Sequence, residues 1–496
     1  MDGTLQSSES GSATGTRRYA LAFLCAVPLF LAGTRTMDDL SPIRNIVVVT
    51  LDTTRADYLP AYGYSGLETP TLDRLAREGV VFEQATTSAP LTLPAHCTIF
   101  TGLFPPHHRV RDNADRALAD TETTLAEVLR ARGMRTAAFV GSIVVGQDRG
   151  LAQGFDTYSA PSRTGFREGN RRPGQAVVDD ALVWLQQERS PFFAWVHLYD
   201  AHAPYALPEP YRTMYQDVPY LGALALLDAQ VGRLVQALEA RHELDRTLII
   251  VASDHGESLG EHGEDGHGIL VYQSTLHVPL IMRVPGLAPR RVADVTRLAD
   301  VMPTALDLLH VPGPPMDGVS LTRLMTGRTK HLDLEAYSES AYPRRFGWSE
   351  LQALRAGRYK FINAPRPELY DLDADPAEQH NLVDERAALK SVMAARVAVL
   401  AGSAVISGPA DSAVDTETSS RLAALGYVGH GAAGHLQTEA HDAFAIDPKD
   451  CVGQYNEIVR RQHPGASQLP EIHADAPKQD CGDALSVISA ASAERR

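Results

Sequence analysis

Residues 45–51, NIVVVTL, form a continuous β-branched run with no alternating polar face, the pattern of a strand covered on both sides within a parallel sheet. The pattern returns at 192–199, FFAWVHLY, and at 247–252, TLIIVA, so three buried strands are predicted. Helix punctuation lies between them. Thr69 and Pro70 mark the N-cap and first residue of a helix closed by Gly79, and 80–82 starts a further strand. Thr124 and Glu127 have the spacing of a capping box for a helix ending near Gly133, followed by a strand at 136–140. Residues 221–238 read as one long amphipathic packing helix. Alternation of strands and helices in this way predicts a doubly wound α/β fold.

Each strong strand runs into polar residues at its carboxyl end. The first ends in Asp52, the second is followed by Asp200-Ala201-His202-Ala203-Pro204, and the third by Ser253-Asp254-His255-Gly256-Glu257. Ligands of open α/β sheets bind beyond these ends. Asp52 alone is as readily a turn former. Thr92 opens a short helical pattern, TLPAHCTIFTG, and a Pro-rich turn then brings the chain to Asn113. By itself a Thr at such a position is an ordinary N-cap. The N–H groups of a first helical turn also point where an anion would lie, and an Asn amide can donate to the same anion.

The segment TLPAHCTIFTGLFPPHHRVRDN, from Thr92 to Asn113, resembles the nucleophile segment of nucleotide pyrophosphatases/phosphodiesterases, within the alkaline phosphatase and sulfatase superfamily. LDTTRAD, 51–57, resembles the opening metal motif of sulfatases, with Thr53 where a second Asp is common. SDHGESLGEHG, 253–263, resembles their second metal motif, and ALRAGRYKF (353–361) with ELYDLDADPAEQHNL (368–382) resembles their smaller C-terminal sheet. The resemblance implies a doubly wound mixed sheet of the alkaline phosphatase/sulfatase type. It places a catalytic domain over 41–330 and a C-terminal α+β subdomain over 331–400. RLAALGYVG, 421–429, is similar to a junction after which some relatives carry helical repeats, but no repeat follows here. Residues 401–496, rich in Ala, Gly, Ser and polar side chains, are expected to form a flexible tail with at most a short helix at 455–462.

The chemistry implied by the resemblance is metal-dependent hydrolysis of a small anionic ester. Asp52, Thr92, Asp254 and His255 would be the metal ligands, and this mixture of oxygen and imidazole suits Zn²⁺ or Mn²⁺ better than Ca²⁺. Thr92 would attack phosphorus or sulfur in line to give a covalent intermediate, with Asn113 and the Leu93 N–H stabilising the equatorial charge. His202 and His267 occupy positions where sulfatases place a His and a Lys against the substrate anion. Either they contact the substrate and protonate the leaving group, or they join Asp200 in a second metal site. His107, His108 and His262 are expected in loops, and Arg55 and Arg111 in structural ion pairs. Sulfatases that make formylglycine carry Cys/Ser-x-Pro-x-Arg, whereas this chain has Thr92-Leu93-Pro94-Ala95-His96. Cys97 does not restore the motif, because Ile99 and Thr101 stand where Pro and Arg would be needed. No formylglycine is therefore expected. Phosphodiester or phosphonate hydrolysis leads, ahead of sulfuric ester hydrolysis and of a non-catalytic anion-binding role.

Composition narrows the partners. A chain of 496 residues, 22% charged and 44% hydrophobic, can hold one large α/β domain and a smaller one. Its net charge of -15 argues against nucleic acid and anionic membrane surfaces, though not against a small anion held at a metal. Residues 20–33 form an apolar run behind Arg17 and Arg18, so 1–40 reads as a signal peptide or an uncleaved membrane anchor of an exported protein. Of the four cysteines, Cys25 lies in this leader and Cys97 reads as a small buried hydrophobe. Cys451 and Cys481 remain as candidate disulfide partners.

Overall fold

The computed structural model describes residues 43–114, 116–161, 170–188, 191–402, 421, 446–462 and 481. The leader over 1–40 and the junction residues 422–429 lie outside them. Eight strands make one mixed sheet: β1 (Asn45–Leu51), β2 (Val80–Thr86), β3 (Arg135–Val140), β4 (Thr157–Ser159), β5 (Phe192–Leu198) and β6 (Thr247–Ser253), with two more further on. A small hairpin of β7 (Ser258–Leu259) and β8 (Asp265–Gly266) precedes those two, β9 (Leu280–Arg283) and β10 (Arg290–Arg297). The strand order is β10-β2-β9-β6-β1-β5-β3-β4. Strand β9 runs antiparallel to both neighbours, and the other pairs are parallel.

Side chains alternate across this sheet between two cores. Ile46, Val48, Trp195 and Ile250 face one, while Val47, Val49, Val196 and Val251 face the other. The helix Thr92–Thr101 lies in the first core, and the helices Pro70–Glu78, Gly174–Gln187 and Pro219–Ala240 contribute to the second. Both faces are covered, which is why the strand sequences show no polar face. The capping box forms as the spacing predicts. Thr124 Oγ1 accepts the Glu127 N–H at 3.3 Å and the Glu127 carboxylate accepts the Thr124 N–H at 2.8 Å.

The smaller sheet is an antiparallel meander of β11 (Glu335–Ser340), β12 (Leu351–Ala356), β13 (Tyr359–Asn363) and β14 (Glu368–Asp371), packed against the helix Ala387–Gly402. Backbone and side-chain bonds join it to the first sheet. The Glu339 N–H donates to Ser88 O at 2.9 Å, and Ser338 Oγ donates to Thr87 O at 2.6 Å.

The region read as a flexible tail differs from that expectation. Pro448–Gln462 is a 15-residue helix, and it starts well before the predicted 455–462. Cys451, Val452 and Tyr455 are buried in the core that also holds Tyr342, Phe346 and Trp348, and Cys451 is bonded to Cys481. Three buried side chains in a polar segment leave little trace in composition, which is why the sequence did not reveal the docking.

Candidate active site

Because β1 lies between β5 and β6 in parallel register, the residues that follow these strands emerge side by side. Asp52 follows β1, and its Oδ2 lies 3.1 Å from Nε2 of His197 on β5. The chain then turns through Thr53 at φ 51°, a left-handed conformation that costs a β-branched residue of order 1–3 kcal/mol. The turn aims the Thr53 N–H at Asp254 Oδ1, 3.3 Å away, and the Thr54 N–H at Ser253 Oγ, 3.0 Å away. Asp254 Oδ1 also accepts the His255 N–H at 2.9 Å. The ends of β1 and β6 are thus tied together, with Asp254 Oδ2 left over.

Thr92 is the first residue of its helix, after an extended Leu91. Its Oγ1 lies 3.4 Å from His255 Nε2. The His255 ring donates Nδ1–H to Gly256 O at 2.9 Å, so Nε2 carries the lone pair that faces Thr92. His96 fastens the same helical turn, because its Nδ1–H donates to Thr92 O at 2.7 Å. Trp195 Nε1–H donates to Thr50 Oγ1 at 2.9 Å, which leaves the Thr50 hydroxyl hydrogen for His96 Nε2 at 3.0 Å. Asn113 returns to the helix as expected but in a different sense. Its Oδ1 accepts the Leu93 N–H at 2.8 Å, so that N–H is not available to an anion. The bond turns Asn113 Nδ2 outward, buried and without an acceptor.

The groups collected here are short of partners. Asp52 Oδ1, Thr53 Oγ1, Asn113 Nδ2, His197 Nδ1, His202 Nε2, Asp254 Oδ2 and Glu257 Oε2 are all buried with no hydrogen bond. Buried polar atoms are seldom left in this state without an ion or ligand to satisfy them. Among the described residues, the ligand atoms of Asp52, Asp254 and His255 lie within 4.8 Å of one another, and so do those of His96, His197 and Asp254. Burial holds the Asp52 carboxyl well above the usual range, and for Asp254 burial is reinforced by the neighbouring Asp52. Burial also keeps the imidazoles neutral, with His255 pushed down to about 4 and His197 and His267 to about 3. Two carboxyls beside neutral imidazoles form a site for a cation, and the donor set fits a divalent metal.

His202 and His267 border this cluster and are slightly less enclosed than it, each 8% exposed. The His267 ring centroid is 4.3 Å from that of His255 and 5.0 Å from that of His202, and its Nδ1 pairs with Glu257 Oε1 at 2.9 Å. His202 donates Nδ1–H to Ala203 O at 2.6 Å, so its unpartnered Nε2 carries the lone pair. Asp200 does not join them. Both of its oxygens accept the Gly174 N–H, at 3.0 and 2.9 Å, so the carboxylate anchors the start of the helix Gly174–Gln187. Among the described residues, Asp200, His202 and His267 are not brought together as a cluster of possible metal ligands.

The two arginines form the ion pairs expected of them, whereas His107 and His108, expected in a loop, end the short helix Pro105–His108, and His262 lies in the 3-10 turn Glu261–Gly263. Arg55 pairs with Asp57 and Glu261 at 2.7 and 2.6 Å, and Arg111 with Glu339 at 2.5 Å. His107 pairs with Asp317, His108 contacts Thr98 and His262 stacks on Tyr272. Three residues of the cluster carry no role in the sequence reading: His96, His197 and Glu257. The signal for His197 was a lone imidazole inside an otherwise apolar strand, three positions before the Asp200 that follows it.

Fold and site together define an α/β hydrolase with a buried carboxylate–imidazole cluster beyond the ends of its central strands. The chain belongs to the sulfatase family, whose model matches residues 44–311, while the model described as N-sulphoglucosamine sulphohydrolase, C-terminal, matches 260–400. It is 28% identical to a choline-sulfatase of Rhizobium meliloti over 68% of this chain and 82% of that protein. An arylsulfatase of Clostridium perfringens is 25% identical over 68% of this chain and 90% of its own length. Among solved structures, a phosphonate monoester hydrolase of Agrobacterium radiobacter superposes with a TM-score of 0.63 at 25% identity, covering 73% of this chain and 96% of that one. The protein is accordingly a hydrolase of sulfuric or phosphoric-type ester bonds in the alkaline phosphatase superfamily.

Proposed function

We propose that the protein hydrolyses phosphodiesters or phosphonate monoesters through Thr92, without formylglycine. The observation that carries this reading is Thr92 Oγ1 itself, set at a helix start and facing the lone pair of His255 at 3.4 Å. Cys97, the nearest candidate for conversion to an aldehyde, is fully buried in the core and burial pushes its thiol up, away from reactivity.

Asp52, Asp254, His255 and Thr92 Oγ1 are the groups that would hold a divalent ion, with Zn²⁺ or Mn²⁺ the best match. Such an ion lowers the cost of the Thr92 alkoxide and balances the two carboxylates. In the reaction, Thr92 Oγ forms a bond to phosphorus as the bond to the leaving alcohol breaks. Asn113 Nδ2 donates to an equatorial oxygen. His202 or His267 takes the Thr92 hydroxyl proton and passes it to the departing oxygen, and the same group then takes a proton from the water that cleaves the Thr92 ester and returns it to Thr92. A diester or phosphonate monoester carries about one negative charge, and a phosphate monoester about two near neutral pH. A site facing substrate with imidazoles and an amide suits the monoanion. Sulfuric ester hydrolysis is the second reading, favoured by the names of the two relatives above. A sulfated Thr92 lacks the exit by which a hydrated aldehyde expels sulfate.

The disulfide between Cys451 and Cys481 supports an oxidising compartment, and with it export through residues 1–40, cleaved or retained as an anchor. The partner is a small anionic ester, and the net charge of -15 speaks against nucleic acid. A panel of aryl phosphate monoester, diester, phosphonate and sulfate, with added Mn²⁺ or Zn²⁺, tests the reading. Diester or phosphonate should turn over best and lose activity on chelation. An aryl sulfate ranked first with Thr92 unmodified would overturn it.

A further inference from the structure

His267 sits in a loop rich in glycine and in left-handed backbone. Gly260, His262, Gly263, Gly266 and Gly268 all have φ between 53 and 109°, and four of the five lack a β-carbon. Such a run is compatible with many conformations. Its internal ties include the two-residue hairpin of β7 and β8, the backbone turn of Gly260 N–H on Glu264 O, the His267–Glu257 pair and the Glu264 carboxylate, which accepts the Ile269 and Leu270 N–H groups.

Arg55 on Glu261, His262 stacked on Tyr272 and Ser340 Oγ donating to Gly268 O hold it from the catalytic domain and the smaller sheet, and further ties come from the far end of the chain. Asn456 uses both ends of its amide: Nδ2 donates to Gly263 O at 2.7 Å, and Oδ1 accepts the Asp265 N–H at 3.0 Å. Arg460 pairs with Asp265 at 2.8 Å, and Tyr455 donates its hydroxyl to the carbonyl of His267 itself at 3.2 Å. These residues belong to the helix Pro448–Gln462, which lies beyond residue 400, where the second of the two family models ends. The helix is fixed in turn by the Cys451–Cys481 bond, by Trp348 Nε1–H donating to Cys481 O at 3.1 Å, and by Arg366 on Asp450.

We propose that the helix Pro448–Gln462 is a clasp for the active site, in which Tyr455 and Asn456 are positioning residues that hold the His267 loop in register with His202 and His255. The proposal rests on the reading of His267 as a group facing substrate. A backbone shift of about 1 Å at such a group can cost up to about a hundredfold in rate even when the mutated residue is remote. The clasp keeps the catalytic geometry while allowing the loop to be rich in glycine.

The test uses the full-length protein with Asn456→Ala, Tyr455→Phe and, as an independent means of releasing the helix, Cys451→Ser. Amide hydrogen exchange across 261–268 needs no substrate and should be faster in each variant. On whichever ester the wild type turns over best, kcat should fall about tenfold with KM and metal content nearly unchanged. In a His267→Ala background, Asn456→Ala should cost little more, because the group it positions is gone. Unchanged exchange in all three variants would overturn the clasp. A loss of kcat that adds in full to that of His267→Ala would also overturn it, leaving the helix a purely stabilising element. The wild-type ranking of esters decides the proposed substrate class separately, so failure of one reading does not disguise failure of the other.

Discussion

His197 Nε2 lies 3.1 Å from Asp52 Oδ2, with both side chains wholly inside the protein. Burial holds the imidazole neutral, so the contact is an N–H donated to a carboxylate that faces the cation site from its other oxygen. Outer donors of this kind fix the orientation of a metal ligand, and their removal typically costs 10- to 100-fold in metal affinity. His197→Ala should therefore weaken Mn²⁺ or Zn²⁺ binding by about that factor, read by titration of the metal-free protein. His197→Gln, which keeps an N–H donor, should recover part of it. Equal affinity in all three proteins would show that Asp52 needs no orienting partner.

Asn113 has its oxygen engaged by Leu93 N–H and its own carbonyl held by Arg149 at 2.7 Å, so the direction of Nδ2 is set from both sides. Asn113→Ala should leave metal content unchanged and lower kcat by about 10²-fold, the scale of losing one preorganised donor. Asn113→Asp keeps the acceptor and reverses the other half of the amide, so it should be at least as damaging. Wild-type kcat in either variant would remove Asn113 from the reaction.

Cys97 and Thr92 sit in one helix, yet they face different surroundings. Cys97 packs in the apolar core while Thr92 reaches the cluster. Thr92→Ala should abolish the covalent intermediate. Cys97→Ser should preserve it and cost at most about 1–2 kcal/mol of stability, measured by denaturant unfolding. Mass spectrometry that finds Cys97 converted to an aldehyde would reverse the assignment.

The fold was legible because its evidence is local. Strand β1 shows no alternating polar face since both faces are covered, and Thr124 with Glu127 announces a helix start by spacing alone. Asp52, Asp254 and His255 were legible because they follow recognisable strands. Asp200 looked equivalent, yet its carboxylate is used by the N–H of Gly174, 26 residues away, a pairing that no local pattern encodes. His197 was hidden for the opposite reason: it lies within a strand, and only the parallel register that sets Thr50 beside it brings its ring to Asp52. The docking of Tyr455 on the His267 loop spans 188 residues and could be seen only in the folded chain.

Glu264, in the same loop, links that loop to pH. Its carboxyl is buried, and burial outweighs the two N–H groups it accepts, raising it from 4.5 to about 8. The unfolded chain gives up this proton near 4.5 and the folded chain keeps it until about 8, so in between the folded state binds more protons. Stability should then fall as pH rises through that window and level off above it. Glu264→Gln carries no ionisation and should lack this component, so its stability should gain on the wild type between those two pH values. Thermal unfolding of both proteins across the window checks the sign. Parallel curves would mean that Glu264 is ionised in the folded protein, with the Ile269 and Leu270 N–H groups overcoming the cost of burial.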